Sequence, residues 1–470
     1  GGLGSSIYQM DTYNEMQPRS GDHPYLAASA NALFNAMRAG DPQGVWMMQG
    51  WLFISGWWDK GRVEAYLSAV PDSAMIILDL YSEVAPQWKT YNNFFGKPWI
   101  YCVLHNFGGN LGLRGNLPKI GQDVIASYEE SKGGMVGVGI TMEGIFQNYV
   151  VYHLTLEMAW RAAPIVDIGQ WVKDYSTQRY AGAVAGQVAW EQLLETAYNC
   201  SSGWGVTKSL VELRPAFKLD APGGFMPRVP PYTLGSMVPI WTSLLGAVAV
   251  NPDIQGQDAF LYDVVDVTRQ ALSDIFLGLY RDAVAAFEAA RSPSTVCNLT
   301  LRMRQILTDM DRILSTHKGF LLGCWEADAT ALANGDEKLK DYFLYQARNQ
   351  VTRWGAEGEI TDYASKQWAG LVSGYYARRW DIWLGELCDA AREARDFDTK
   401  GTLTAIQTFE SQWQYGPADA SCDPSGTPVQ VSKELWQRYA AGGSRAHPGG
   451  LSHVMPDMDQ LMSPVSAAAI

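Results

Sequence analysis

The stretch VWMMQGWLFISGWWDKGRVEAYLSAVPDSAMIILDL, residues 45–80, holds one complete strand–helix–strand unit. Its two apolar runs, VWMMQ (45–49) and MIILDL (75–80), lack the polar alternation of a half-exposed strand. Strands buried on both faces read this way. Between them, KGRVEAYLSAV (60–70) predicts a helix that stops at Pro71.

The same grammar extends in both directions. Further strand-like runs are IYQM (7–10), WIYCVLH (99–105) and MVGVGI (135–140). Helical stretches lie between and after them: 24–40, closing at Gly40, then 117–131, and 143–161, which places Glu143 at the opening of a helix. Repeated strand–helix units mean a parallel sheet, open or closed into a barrel. A barrel of this class needs eight strands. Residues 1–164 supply five, so the expectation is the last five strands of a (β/α)8 barrel, with three more units upstream of Gly1. The alternative is an open five-stranded sheet. No GxGxxG follows a strand, and the Gly-rich HNFGGNLGLRG (105–115) lacks phosphate-loop spacing.

From residue 165 to 470 the strand runs fade and one all-helical domain is expected. Leu261, Val265, Leu272, Phe276, Leu279 and Ala283 share one helical face. Residues 336–354 and 364–395 read as helices by the same spacing.

The bulk figures narrow the class. Apolar residues make up 47% and charged residues 18% of the 470, as in globular proteins. The net charge of −13 argues against a nucleic-acid partner. It fits a protein working in acid as well as it fits an ordinary acidic one. No apolar run reaches the roughly 20 residues of a membrane span. GGLGSSIYQM at the start lacks a signal-peptide pattern. The cysteines (102, 200, 297, 324, 388, 422) have no zinc spacing and leave zero to three disulfides open. Asn199-Cys-Ser and Asn298-Leu-Thr are glycosylation candidates that permit a secretory route.

In a barrel the active site gathers at the carboxyl ends of the strands. Glu15, Asp79, Glu83, His105 and Glu143 fall there. Two glutamates in one pocket suit glycoside hydrolysis, where one donates a proton and the other attacks the anomeric carbon. Taken singly, Glu15 or Glu143 reads as well as a first-turn helix acid, and His105 as a hydrogen-bonded pocket residue. There is no HExxH and no G-x-S-x-G, so no metal or cofactor is implied. The 18 tryptophans lean towards carbohydrate, since indole faces stack on the apolar faces of sugar rings.

YNEMQP around Asn14 and Glu15, QGWLF, LDLYSE, CVLHNFGGN, ITMEGIFQN and RWGAEGEITDYASKQWAGL (353–371) together resemble the α-N-acetylglucosaminidases of glycoside hydrolase family 89. The resemblance runs from about residue 7 to beyond residue 390. It implies a chain running from the fourth barrel strand into a helical domain that closes one side of the active site. It also implies Glu15 as acid/base and Glu143 as nucleophile. Substrate contacts would come from Asn14, Trp51, Leu80, Leu104, Phe107, Trp354, Ile360 and Tyr363, with His105 supporting.

The activity so implied is retaining, exo-acting removal of terminal α-linked N-acetylglucosamine (GlcNAc) from heparan-sulfate-like or other glycans. Glu15 is expected to need a raised pKa and Glu143 to stay ionised. The implied partners are an α-GlcNAc-terminated glycan and the remaining half of the barrel, on a separate fragment or an upstream segment. A homo-oligomer stays open. The implied compartment is lysosomal or extracellular and acidic. A non-catalytic carbohydrate-binding relative is the competing reading, and a purely structural helical protein is a third.

Overall fold

The computed structural model describes residues 4–144, 146–201, 205–221, 226–290 and 292–441. The end of the expected helical domain, 442–470, lies outside the described residues. The chain divides into two compact units. The first comprises residues up to Phe107, Gly115–Ile168 and Gly205; the second holds Gly108–Arg114 and nearly everything after Ile168. The division therefore does not follow a single cut at residue 164. Gly108–Arg114, sequence-adjacent to a strand, packs with the helices.

The first unit alternates strand and helix: β1 (Ile7–Gln9), α1 (His23–Gly40), β2 (Val45–Gln49), α2 (Lys60–Leu67), β3 (Met75–Asp79), α3 (Gln87–Thr90), β4 (Trp99–Val103), α4 (Leu117–Glu130), β5 (Met135–Ile140) and α5 (Tyr149–Met158). All neighbouring strands pair in parallel, and the sheet order is β1-β2-β3-β4-β5. Chain order equals sheet order. A doubly wound sheet reverses direction at a switch point; this one does not reverse, which is the winding of a barrel wall. Trp46, Met75, Ile77, Trp99 and Val103 are buried, but the expectation of burial on both faces holds best for β4: burial alternates along β2 and β3, β1 is exposed, and β5 buries only Met135.

Two further readings within this unit change. The helix after β5 begins at Tyr149, not at Glu143. Gly144 (φ 157°) and Asn148 (φ 47°) bend the intervening chain away from helical geometry. The short α3 was not anticipated. Asp79 builds it, accepting the N–H groups of Gln87 and Trp88 at 3.2 Å each.

The second unit holds α6 (Ile168–Arg179), α7 (Gln187–Thr196), α8 (Met237–Val250), α9 (Asp258–Ala290), α10 (Pro293–Leu314), α11 (Leu322–Ala331), α12 (Glu337–Gln350), α13 (Ala377–Glu393), α14 (Thr399–Trp413) and α15 (Pro428–Trp436). α9, 33 residues long, is the central rod. Its apolar face is buried, but so are the charged residues Asp263, Asp266, Arg269 and Asp274 of the same helix. Arg179 grips Asp263 with two bonds of 2.7 Å, and Arg269 pairs with Asp266. Charges are tolerated at such depth only when paired. The helix expected over 364–395 starts at Ala377, after a wider π-helical turn at Val372–Tyr376. Disulfides Cys297–Cys388 and Cys324–Cys422 tie α10 to α13 and α11 to the segment before α15.

Candidate active site

Parallel strands place all their carboxyl ends on one rim. The loop after β1 carries Asn14 and Glu15, that after β2 Trp51, that after β3 Leu80 and Glu83, that after β4 Leu104, His105 and Phe107, and that after β5 Glu143. Glu15 and Glu143 are both exposed.

The β1 loop is braced in its first half, at Asp11 and Tyr13. Asp11 Oδ1 accepts the N–H of Gln49 at 3.0 Å, and Tyr13 Oη meets Ser29 Oγ of α1 at 2.8 Å. Asn14, the residue after Tyr13, keeps a buried Oδ1 with no hydrogen-bond partner among the described residues. A buried amide oxygen left without a donor calls for an explanation, and a ligand hydroxyl would supply one.

Across the rim, the Trp51 and Phe107 rings lie 5.9 Å apart, and Tyr81 meets Phe107 edge-on at 5.6 Å. The chain turns sharply at His105 (φ 65°), where Asn106 N–H donates to the Leu104 carbonyl at 2.7 Å. Glu83 Oε1 accepts the His105 N–H at 2.7 Å. Burial pushes the Glu83 carboxyl up to about 8, and the Asp79 carboxyl up to about 6. Glu83 is therefore a neutral acid below neutrality, seated beneath the turn that carries Leu104 and Phe107.

Tyr152 of α5 organises the loop bearing Glu143. Its Oη accepts Asn106 Nδ2 at 2.6 Å and Gln147 Nε2 at 2.9 Å. Gln147 Nε2 also donates to the Gly144 carbonyl at 2.7 Å, one residue from Glu143. Thr141 Oγ1 donates to the Leu80 carbonyl at 3.0 Å. Asn106 and Gln147 stand inside the motifs LHNF and EGIFQN, yet no spacing rule marks them or Tyr152 as partners.

Glu15 and Glu143 follow the first and fifth strands. At ~4.8 Å per step, a flat sheet would set those strands about 19 Å apart. Only a sheet curved towards closure brings such loops within reach of one glycosidic bond.

The second unit carries the other three positions. Trp354 and Tyr363 are half-buried, their rings 5.4 Å apart at 77°, and Ile360 is 44% exposed. Trp354 opens on a groove of about 750 Å³ that it lines with Trp325, Phe343 and Gln346.

The alpha-N-acetylglucosaminidase tim-barrel domain pattern matches residues 2–162, and the C-terminal domain pattern of the same family matches residues 171–438. The chain belongs to the alpha-N-acetylglucosaminidase family. It is 35% identical to the human alpha-N-acetylglucosaminidase over 447 residues, covering 92% of this chain and 58% of the relative. A family 89 glycoside hydrolase from Clostridium perfringens, in complex with 2-acetamido-1,2-dideoxynojirmycin, superposes with TM-score 0.83 at 25% identity. That match covers 93% of this chain and 49% of the bacterial one. A variant of the bacterial enzyme with two glutamates changed to glutamine, in complex with its substrate GlcNAc-alpha-1,4-galactose, gives TM-score 0.80 at 25% identity, covering 92% and 48%. The chain thus spans about half the length of these bacterial relatives and 58% of the human one. Family membership accounts for the winding order of the sheet and for the helical second unit.

Proposed function

We propose that the chain carries both catalytic carboxylates of an exo-acting, retaining α-N-acetylglucosaminidase. The observation that supports this most directly is the common rim: in a parallel sheet wound in chain order, Glu15 and Glu143 follow strand ends on the same side, each exposed for chemistry. Glu143 is the nucleophile and Glu15 the acid/base.

The chemistry requires an enzymic nucleophile. In an α-linked GlcNAc the 2-acetamido group is cis to the leaving oxygen, on the same face of the ring, and cannot attack from behind. Glu143 forms a β-glycosyl ester while protonated Glu15 releases the aglycone; ionised Glu15 then activates water. A retaining pair stands about 5–5.5 Å apart. The curvature this needs would be completed by further strands along β1 and β5, whose Ile7 (49%) and Val136 (55%) lie exposed. Asn14 accepts a sugar hydroxyl. Trp51, Leu80, Leu104 and Phe107 of the first unit are sugar contacts, as are Trp354, Ile360 and Tyr363 of the second, and His105 shapes the β4 turn. The substrate is a glycan ending in α-GlcNAc, of heparan-sulfate or related type. The two disulfides and the exposed Asn199 and Asn298 support a lysosomal or extracellular site of action.

Hydrolysis of p-nitrophenyl α-GlcNAc at acid pH tests the assignment. Glu143→Gln is expected to lower kcat by roughly 10³-fold or more, with β-configured intermediate trapped only in the wild type. Undiminished turnover in that variant would remove Glu143 from the mechanism. First-formed product of β configuration, seen by NMR, would replace retention by inversion.

A further inference from the structure

Residues 352–363 form a closed loop in the second unit. The Asp362 N–H donates to the Thr352 carbonyl at 2.7 Å, and the Ile360 N–H to the Trp354 carbonyl at 3.3 Å. Two non-glycine residues in it adopt left-handed backbone: Trp354 (φ 43°) and Asp362 (φ 66°). A bulky side chain rarely takes that conformation. Such strain persists only where the surroundings over-determine it, and it clusters at ligand clamps. Glycine or asparagine at position 354 would adopt the same φ more readily. An indole held there points to a use for the indole in that orientation.

Each strained residue has its own clamp. Asn349, buried in the last turn of α12, holds the first. Its backbone carbonyl accepts the Trp354 N–H at 2.7 Å. Its Oδ1 accepts the Gly355 N–H at 2.8 Å, and its Nδ2 donates to the Gly355 carbonyl at 2.8 Å. Asp362 is the second clamp. Its carboxylate receives Arg379 Nη1 at 2.8 and 3.1 Å and the backbone N–H of Arg214 at 2.7 Å. Arg379 is wholly buried and also bonds Glu410 Oε1 at 3.0 Å. Lys208 Nζ donates to the carbonyls of Asp362 and Tyr363. Between the clamps, the Trp354 and Tyr363 rings meet nearly at right angles, offering one wall to a sugar face and one to its edge.

We infer that Asn349 and Asp362 are positioning residues for sugar binding, holding the 352–363 loop so that Trp354 and Tyr363 present a rigid aromatic corner to the GlcNAc residue. This rests on the reading above that Trp354 and Tyr363 contact the sugar. Neither Asn349 nor Asp362 is assigned to touch the substrate; both act through the backbone they hold.

The test measures kcat and KM on p-nitrophenyl α-GlcNAc, the Kd of 2-acetamido-1,2-dideoxynojirmycin by calorimetry, and Tm, for the full chain. Asn349→Ala and Asp362→Asn should each raise KM and Kd roughly tenfold or more while leaving kcat within about threefold, because misplacement of a binding wall weakens occupancy. Asn349→Asp keeps the acceptor for the Gly355 N–H and should restore part of the loss. A purely structural role would lower Tm and leave KM and Kd of the folded fraction unchanged. Trp354→Ala separates the two claims. If it raises KM and Kd while folded Asn349→Ala leaves both unchanged, the positioning inference fails and the sugar-site reading stands. If Trp354→Ala changes neither, both fall. Should Asn349→Ala not fold, Asn349→Asp and Asp362→Asn decide by the same measurements.

Discussion

At the scale of single residues, the glycines of HNFGGNLGLRG explain themselves only in three dimensions. Gly108 adopts φ 65°, and a Cβ on it would stand 2.2 Å from the Tyr363 carbonyl oxygen. A Cβ on Gly112 would stand 2.1 Å from the carbonyl oxygen of Thr207. The motif is a close approach of backbones, not an anion cradle. Gly108→Ala combines a strained φ with a steric clash and is expected to destabilise the second unit by about 3 kcal/mol. An unchanged midpoint in chemical denaturation would rule this packing account out. Glu15 and Glu143 were readable as candidates because acids at strand ends are conspicuous. Asn14 was singled out by its neighbour, and its buried oxygen without a donor adds a physical reason.

At the scale of elements, the strands were legible as short unbroken apolar runs, although burial alternates along β2 and β3 and β1 and most of β5 are not buried. VWMMQ and MVGVGI coincide with β2 and β5. The helix starts were less legible where a polar loop shares helical spacing. Residues 364–376 show this: Ser365 and Gln367 are wholly buried and bond Glu212 and Ser273, partners more than 90 positions away. Local pattern cannot report such partners.

The loop after β5 depends in the same way on α5. Tyr152→Phe removes the acceptor shared by Asn106 and Gln147, with an expected loss of about 1–3 kcal/mol. Because Gln147 braces Gly144 beside Glu143, kcat should fall by roughly tenfold in the same variant. Wild-type kcat in a destabilised Tyr152→Phe would show that the brace does not reach the nucleophile.

The disulfide between α10 and α13 closes a separation of 91 residues. Cys297→Ala with Cys388→Ala should cost about 2–5 kcal/mol of stability under oxidising conditions. Equal stability of oxidised wild type and double variant would remove the bond from the account.

At the scale of the whole molecule, three buried carboxyls set a pH dependence. Burial lifts Glu83 to about 8, Asp274 of α9 to about 7 and Asp79 to about 6. Each keeps its proton in the folded chain at pH values where the unfolded chain has released it. The folded state then binds more protons, so stability falls as pH rises. The contribution is complete below about pH 4, where both states are protonated, and is lost through pH 6 to 8. Tm should drop by about 5 °C or more between pH 5 and pH 8.5, and Glu83→Gln should flatten the upper part of that profile. A Tm that rises over the same interval would contradict it. The acidic composition suited work in acid without requiring it; the buried carboxyls provide a mechanism.

Short-range physics was enough for the sequence to determine the alternation of strand and helix, the change to helices near residue 165, and the placement of two glutamates at strand ends. These follow from side-chain periodicity and chain punctuation, which act over a few residues. Tertiary structure alone decided the sheet order, the pairing of cysteines 91 and 98 positions apart, the burial of α9's charged residues, and the transfer of Gly108–Arg114 to the helical unit. It also decided the clamps of Asn349 and Asp362 on a strained loop. Each of these depends on which distant group arrives to pair a charge, accept a proton or fill a space, and that is settled only when the chain packs.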